Sequence, residues 1–347
     1  MKPLVSILIP AFNAQEWIAD TLRSAMAQTW PRKEIIVVDD GSTDKTLRIA
    51  RQFKSRDMCF VTQENQGAAA ARNKALSLSH GDYIQWLDAD DLLASDKIAN
   101  QMALLDRGPS KRTLLSSAWG WFMYRPYKAE FVPSALWCDL SPAEWLLRKM
   151  DQNLHMQTAT WLVSRELTEA AGPWNTNLLG DDDGEYFCRV LLNCDGIQFM
   201  PEAKVYYRLA GPSSLSFLGR SDRKLEAQWN SMQLHIRYLR SLEDTERVRA
   251  ACVSYLQNWM TVFYPQRIDI FEQAEQVATN LGGQLQVPGV PWKYSWIEKV
   301  AGLNVARRCQ LYLPNVKLSV LRWFDKTLLQ IEGRRQLSGL QVRKSEQ

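Results

Sequence analysis

The chain has 347 residues, 46% hydrophobic and 23% charged, about two domain-lengths of ordinary globular sequence, which excludes disordered, collagen-like and coiled-coil classes. Its 42 basic residues stand against 38 acidic ones, a net charge of +4, so the whole molecule has no electrostatic footprint for nucleic acid and any basic patch is local. The six cysteines are scattered without a CxxC and the three histidines lie far apart, so zinc-site spacing is absent.

The first ninety or so residues alternate short β-branched runs with amphipathic segments, the pattern of an α/β fold with a parallel sheet. Strands are expected at 5–9, 35–38, 59–62 and 83–87, with helices at 16–27, 44–53 and 67–79 between them. The first apolar run stops at Pro10, too short for a signal peptide. From there to about 215 the pattern mixes helix, at 97–105 and 142–150, with strand-like runs at 114–124, 158–164 and 204–207. Beyond 216 it turns helical, with Trp229, Met232, Ile236 and Leu239 and then Val248, Cys252, Tyr255 and Trp259 at three-to-four spacing. Gly282-Gly283 and the stretch 288–291 mark a linker. Residues 281–347 hold 11 Lys or Arg against 4 Asp or Glu, so the basic character is concentrated in the tail. No stretch approaches the ~18 apolar residues of a spanning helix. The default is a cytoplasmic chain with reduced thiols, with peripheral attachment to the cytoplasmic face of a membrane left open.

Acidic loops follow two of the expected strands, where doubly wound sheets bind their ligands. The first is Asp39-Asp40-Gly41-Ser42-Thr43-Asp44, which suits either a ligand or simple helix capping. The second, Asp88-Ala89-Asp90-Asp91, can offer oxygens to a hard divalent cation that keeps room for water and phosphate, although such turns also occur without metal. Between them Asn65-Gln66-Gly67 opens an alanine-rich helix on which Arg72 can present a planar fork to a phosphate, or lie on the surface of a packed helix. A dinucleotide fingerprint is missing, because Pro10-Ala11-Phe12-Asn13 stands where a GxGxxG belongs.

In this order and spacing, these pieces resemble the signature of family 2 glycosyltransferases with the GT-A fold. The match runs through Val5-Ser6-Ile7-Leu8-Ile9-Pro10-Ala11-Phe12-Asn13, the Asp39 loop, Asn65-Gln66-Gly67 with Ala71-Arg72-Asn73, Gly81, and Asp88-Ala89-Asp90-Asp91, closely to about residue 95 and more loosely to about 215. The resemblance implies an α/β GT-A catalytic domain over 1–215, with a Rossmann-like, mostly parallel sheet flanked by helices. Residues 1–95 would be the nucleotide-sugar half and 96–215 the acceptor half, followed by a helical extension over 216–347. It implies inverting transfer from a nucleoside diphosphate sugar, UDP-linked most commonly, to a hydroxyl on a carbohydrate or lipid-linked acceptor, with Mg²⁺ or Mn²⁺ on the diphosphate. Pro10 and Phe12 would line the base pocket, and Asn13 and Gly67 would belong to the same donor site. Asp39 or Asp40 would hold base or ribose, Arg72 would sit near the nucleotide, and Asp88 and Asp90 would hold ribose and metal-diphosphate, both being candidate metal ligands.

The family's general base lies in an acidic pair ahead of an aromatic-rich helix and an arginine, and counting back from Arg189 places that pair on Asp182-Asp183, with Asp183 the first choice and Asp182 the second. The same acids also suit a helix N-terminus. Trp161, Trp174 and Tyr186 are candidates to stack on sugars or to fill core, and His155 to face an acceptor groove or to serve structure. After Tyr207-Arg208 some relatives supply a metal-binding histidine; here the loop has none, leaving Ser213 or Ser214 to touch only the diphosphate. A stripe of Val316, Val320, Trp323, Thr327, Leu328 and Ile331 among lysines and arginines suits membrane contact through 313–335, packing on the catalytic domain, or a homodimer surface. A catalytically silent nucleotide-sugar-binding or scaffold protein is the alternative function, disfavoured by the presence of both Asp88-Asp90 and Asp183.

Overall fold

The computed structural model describes residues 2–53, 55–105, 108, 110–211 and 221–344. In chain order the elements are β1 (Val5–Ala11), α1 (Ile18–Met26), β2 (Lys33–Asp39), α2 (Thr46–Ala50), β3 (Met58–Thr62), α3 (Ala68–Ser77) and β4 (Tyr83–Trp86). There follow β5 (Leu92–Leu93), α4 (Lys97–Leu105), β6 (Thr113–Phe122), α5 (Pro142–Asp151), β7 (Val163–Ser164), α6 (Arg165–Ala171), α7 (Asp182–Asn193) and β8 (Gly196–Arg208). Five helices close the chain: α8 (Asp222–Leu242), α9 (Glu246–Phe263), α10 (Ile268–Asn280), α11 (Trp292–Ala301) and α12 (Leu303–Lys344).

The main sheet has the order β3-β2-β1-β4-β7, its first four strands parallel and β7 antiparallel. β1 is apolar almost throughout because both faces are covered. Successive side chains point to opposite faces, so Leu8 joins the core that holds Ile36, Val38, Ile84 and Trp86, while Ile7 and Ile9 join the other, with Ile35, Val37 and the α1 residues Ile18 and Leu22. This mostly parallel sheet flanked by helices is the architecture expected from the sequence. A second sheet has the order β5-β8-β6.

The segment 158–164, expected as a strand, is instead a 3₁₀ turn at Thr158–Thr160 followed by the two-residue β7. Local side-chain bonds curl it: the Gln157 side chain accepts from the Ala159 amide, and the Thr160 hydroxyl donates to the Gln157 carbonyl at 2.6 Å. The helix expected over 44–53 shortens to α2 because Asp44 is spent on a turn, accepting from the Thr46 amide at 2.8 Å.

Contacts divide the chain into two units, one of Met1–Gly120, Phe131–Tyr207 and Leu218–Val287, the other of Trp121–Glu130, Arg208–Phe217 and Pro288–Gln347. The first holds the main sheet and α8 to α10. Within the second, α11 and α12 pack around Tyr294, Ile297 and Ala306. All six cysteines are free thiols. Among the described residues no helix is long and apolar enough to cross a membrane.

Candidate active site

The strand order builds the site. From β1 the chain winds outward to β2 and β3, then returns to the other side of β1 for β4, so the connections reverse direction beside β1. In such sheets ligands bind beyond the carboxyl ends at that reversal. Ala11 at the end of β1 is in register with Asp39 at the end of β2, and Leu8 with Trp86 at the end of β4, which brings both acidic loops to one edge.

Of the first loop's two carboxylates, Asp40 is consumed by the fold. Its Oδ1 accepts from Gln63 Nε2 at 2.8 Å and the Gln66 amide at 2.9 Å, and its Oδ2 from the Gly67 amide at 2.8 Å, so Asp40 shapes the turn that opens α3. Asp39 is different: Oδ2 accepts from the Ser42 amide at 3.2 Å, while Oδ1 is buried and has no hydrogen-bond partner among the described residues. A buried acceptor left without a donor is costly, and a ligand hydroxyl or N–H would satisfy it. Gly41, at φ 73°, brings the loop so close to the next one that a Cβ would lie 2.9 Å from the Asn65 amide nitrogen. Asn13, at φ 47°, fastens the β1 end to this loop, its amide donating to Ser42 Oγ and its Oδ1 accepting from the Thr43 amide, both at 2.9 Å. Beside it Pro10 is half-buried and Phe12 is 49% exposed, an unusual position for a phenylalanine at a strand end.

Arg72 lies on α3, buried at 5% exposure. The fork that the sequence offered to a phosphate is occupied by two carboxylates: Nη2 donates to Asp88 Oδ1 at 2.8 Å and Nη1 to Asp182 Oδ2 at 2.6 Å. Its guanidinium also lies 4.4 Å over the Trp174 ring. Burial alone would ease the proton off, but Asp182 and Asp88 more than offset that, and Arg72 stays charged. Two acids drawn from opposite ends of the fold are thus held one guanidinium-width apart.

α7 begins at Asp182. Ahead of it Asp181, in the left-handed region at φ 54°, accepts from Ser231 Oγ of α8 at 2.7 Å through Oδ2. Gly184 makes this possible, because a Cβ there would lie 2.1 Å from Asp181 Oδ1. Asp183, half-buried, accepts from the Thr158 hydroxyl at 3.0 Å. Thr158 and Ser231 escaped the sequence analysis: the first falls in a segment whose apolar content mimics a strand, and the second is an unremarkable polar residue on an amphipathic helix.

Asp182 is raised from its ordinary 3.8 to about 6, chiefly by burial, with Arg72 pulling the other way and Asp183, Asp88 and Asp181 adding repulsion. A carboxyl raised by folding contributes stability that is present below its unfolded value and is lost as pH rises through its folded one. Relative to Asp182→Asn, the wild type therefore loses unfolding free energy as pH rises from about 4 to about 7, read by chemical denaturation. A difference that stays constant over this range would show that ionised Asp182 is as comfortable in the fold as in water.

Asp88 and Asp90, both half-buried, leave β4 together, as the sequence placed them. Among the described residues no group of three or more His, Cys, Asp or Glu could hold a metal alone. Two hard carboxylates do fit a Mg²⁺ or Mn²⁺ that takes one or two protein oxygens and completes its shell with phosphate and water. Ser213 and Ser214 lie outside the described residues. His155 is exposed, its ring edge-on to Trp119 at 5.8 Å.

The aromatic candidates for sugar stacking are core instead. Trp161, Trp174 and Tyr186 are at most 2% exposed, and Trp174 stacks on Tyr186 at 4.1 Å. Large aromatic rings gain more from burial against one another than from standing open to water.

The N-terminal third of the chain is similar to known proteins. The model for "Glycosyl transferase family 2" matches residues 6–131, the stretch that carries the Asp39, Arg72 and Asp88 positions. Residues 6–131 thus carry the likeness to glycosyl transferase family 2. Over 104 residues the chain is 44% identical to the UDP-Glc:alpha-D-GlcNAc-diphosphoundecaprenol beta-1,3-glucosyltransferase WfaP of Escherichia coli, a match covering 30% of this chain and 41% of WfaP. It is 42% identical over 103 residues to an uncharacterised glycosyltransferase of Haemophilus influenzae, covering 29% of this chain and 41% of that one. The chain thus spans about two fifths of the length of these curated relatives. The fold extends further than the family match. A crystal structure of S. aureus TarS in complex with UDP-GlcNAc superposes with a TM-score of 0.64 at 21% identity, over 79% of this chain and 81% of that one. The expected fold, a mostly parallel sheet flanked by helices with a helical C-terminal region, is therefore shared with TarS.

Proposed function

We propose that this chain is an inverting glycosyltransferase that moves a sugar from a nucleoside diphosphate sugar, a UDP-sugar above others, to a hydroxyl of a carbohydrate or lipid-linked acceptor in polysaccharide, glycan or glycolipid assembly at the cytoplasmic side of the cell. One observation carries the reading: at the carboxyl edge of the sheet stand a buried Asp39 oxygen with no donor among the described residues and the Asp88-Asp90 pair, and Arg72 joins Asp88 to Asp182, the neighbour of Asp183. The donor that WfaP's name states, a UDP-sugar, and the UDP and UDP-GlcNAc bound in TarS structures support the donor class.

In this reading Asp39 accepts from the base or ribose, the open face of Phe12 covers the base, and the Gly67 turn lets the α3 end approach the donor. Asp183 accepts the proton of the acceptor hydroxyl as that oxygen attacks the anomeric carbon; the bond to the diphosphate oxygen breaks and the nucleoside diphosphate leaves from the opposite face. Asp90 and Asp88 would hold a divalent cation, which would supply positive charge at the departing diphosphate. Arg72 acts at one remove, fixing Asp88 against Asp182 so that the carboxylates on both sides of the sugar keep their places.

A thermal-shift panel of UDP, GDP, dTDP and CDP, each with and without Mn²⁺ or Mg²⁺, tests the donor reading, since a ligand of the folded state raises Tm. The expected result is a cation-dependent shift of several degrees with UDP. No shift with any nucleotide and cation would overturn it.

A further inference from the structure

α12 has two unlike faces. On one, Arg322 donates to the Leu209 carbonyl, and Asp325 and Glu332 bind Arg125, each at 2.8 Å, so this side is tied down within its own unit. On the other, Leu313, Val316, Val320, Trp323, Phe324 and Ile331 recur at helical spacing and are 42–67% exposed. In α11, Trp292, Trp296 and Val300 repeat the pattern at every fourth residue, with 64–87% exposure. Exposed rings in this number, confined to one side of their helices, need a partner.

Charge says which partner. The carboxylates Asp325 and Glu332 are spent on Arg125 at the tied face, whereas the exposed Lys317 and Arg308 border the apolar stripe and the exposed Lys326, its Nζ 5.1 Å over the Tyr124 ring, stands between the two faces. A second copy of this chain would bring lysines against lysines, while an anionic surface would find only cations beside the stripe. Tryptophan suits the boundary between headgroups and acyl chains, where its ring is apolar and its N–H is wet. The helix cannot span a bilayer, being polar on its tied side, but it can lie in the interface.

We propose that the exposed faces of α11 and α12 form a docking surface for an anionic lipid bilayer, with the aromatic stripe entering the headgroup boundary and the flanking lysines and arginine meeting anionic headgroups. The proposal is independent of which nucleotide the catalytic unit binds.

Flotation of the full chain with vesicles tests it. The wild type is expected to float with vesicles of phosphatidylcholine and phosphatidylglycerol in equal parts, at least roughly tenfold more than with phosphatidylcholine alone, and to be released by high salt. Val320→Glu with Trp323→Glu abolishes flotation, and Lys317→Glu with Lys326→Glu reduces it several-fold, while both variants keep the wild-type helical circular dichroism and the wild-type UDP-induced thermal shift. Failure of the wild type to float, or flotation of the Val320→Glu, Trp323→Glu variant, overturns the proposal. So does a wild type that is dimeric without vesicles and becomes monomeric in that variant, which would assign the stripe to a second copy. A lost nucleotide shift with intact flotation would overturn the donor reading alone.

Discussion

Asp183→Asn lowers sugar transfer by roughly a thousandfold while leaving the Kd for UDP within about twofold of wild type. The carboxylate at 183 is half-buried and held by the Thr158 hydroxyl, so the amide fits the same space and accepts the same hydrogen bond. What it cannot do is take a proton. The deficit therefore falls on kcat, and UDP calorimetry on the same preparation separates it from lost binding. Thr158→Val removes the bond that aims the carboxylate and costs less, about tenfold in kcat, through position alone. If Asp183→Asn turned over within a few-fold of wild type, the base would have to be sought at Asp182, which Arg72 already occupies.

Arg72→Met destabilises the fold by about 3 kcal/mol or more, because it leaves Asp88 and Asp182 without their shared counter-charge in a mostly buried setting. For a unit of this size the loss corresponds to a Tm roughly 5–10 °C lower. Transfer falls as well, since nothing then keeps Asp88 and the start of α7 in mutual register. Adding Asp182→Asn to Arg72→Met removes one stranded charge and recovers about 1–2 kcal/mol, a non-additivity that an independent pair of substitutions would not show. Strictly additive losses would mean that the two side chains do not share a network.

Much of this architecture is legible in the sequence because parallel strands buried on both faces must be continuous apolar runs. The runs at 5–9 and 35–38 announce the strands Val5–Ala11 and Lys33–Asp39 that way, and the acids that end β2 and follow β4 mark the ligand edge. What the sequence hides is the division of labour between neighbours. Asp39 and Asp40 are equivalent in a string of letters; only the folded loop shows that Asp40 is spent on Gln63, Gln66 and Gly67 while one Asp39 oxygen has no partner among the described residues. Arg72 reads as a fork for a phosphate or a surface cation because its partners stand 16 and 110 residues away. Trp174 and Tyr186 look like sugar platforms until their stacking on one another is visible. The membrane-suited stripe of α12 is readable as periodicity, but the ion pairs that turn its opposite side inward are long-range and are not.

The central claim, that the carboxyl edge of the sheet binds a uridine nucleotide through Asp39, is tested most directly by titrating UDP with Mn²⁺ into the wild type and into Asp39→Ala by calorimetry. The account predicts binding by the wild type and a Kd roughly 10- to 100-fold weaker in the variant, the value of a lost hydrogen bond to a charged group. Equal affinities in the two proteins would contradict it.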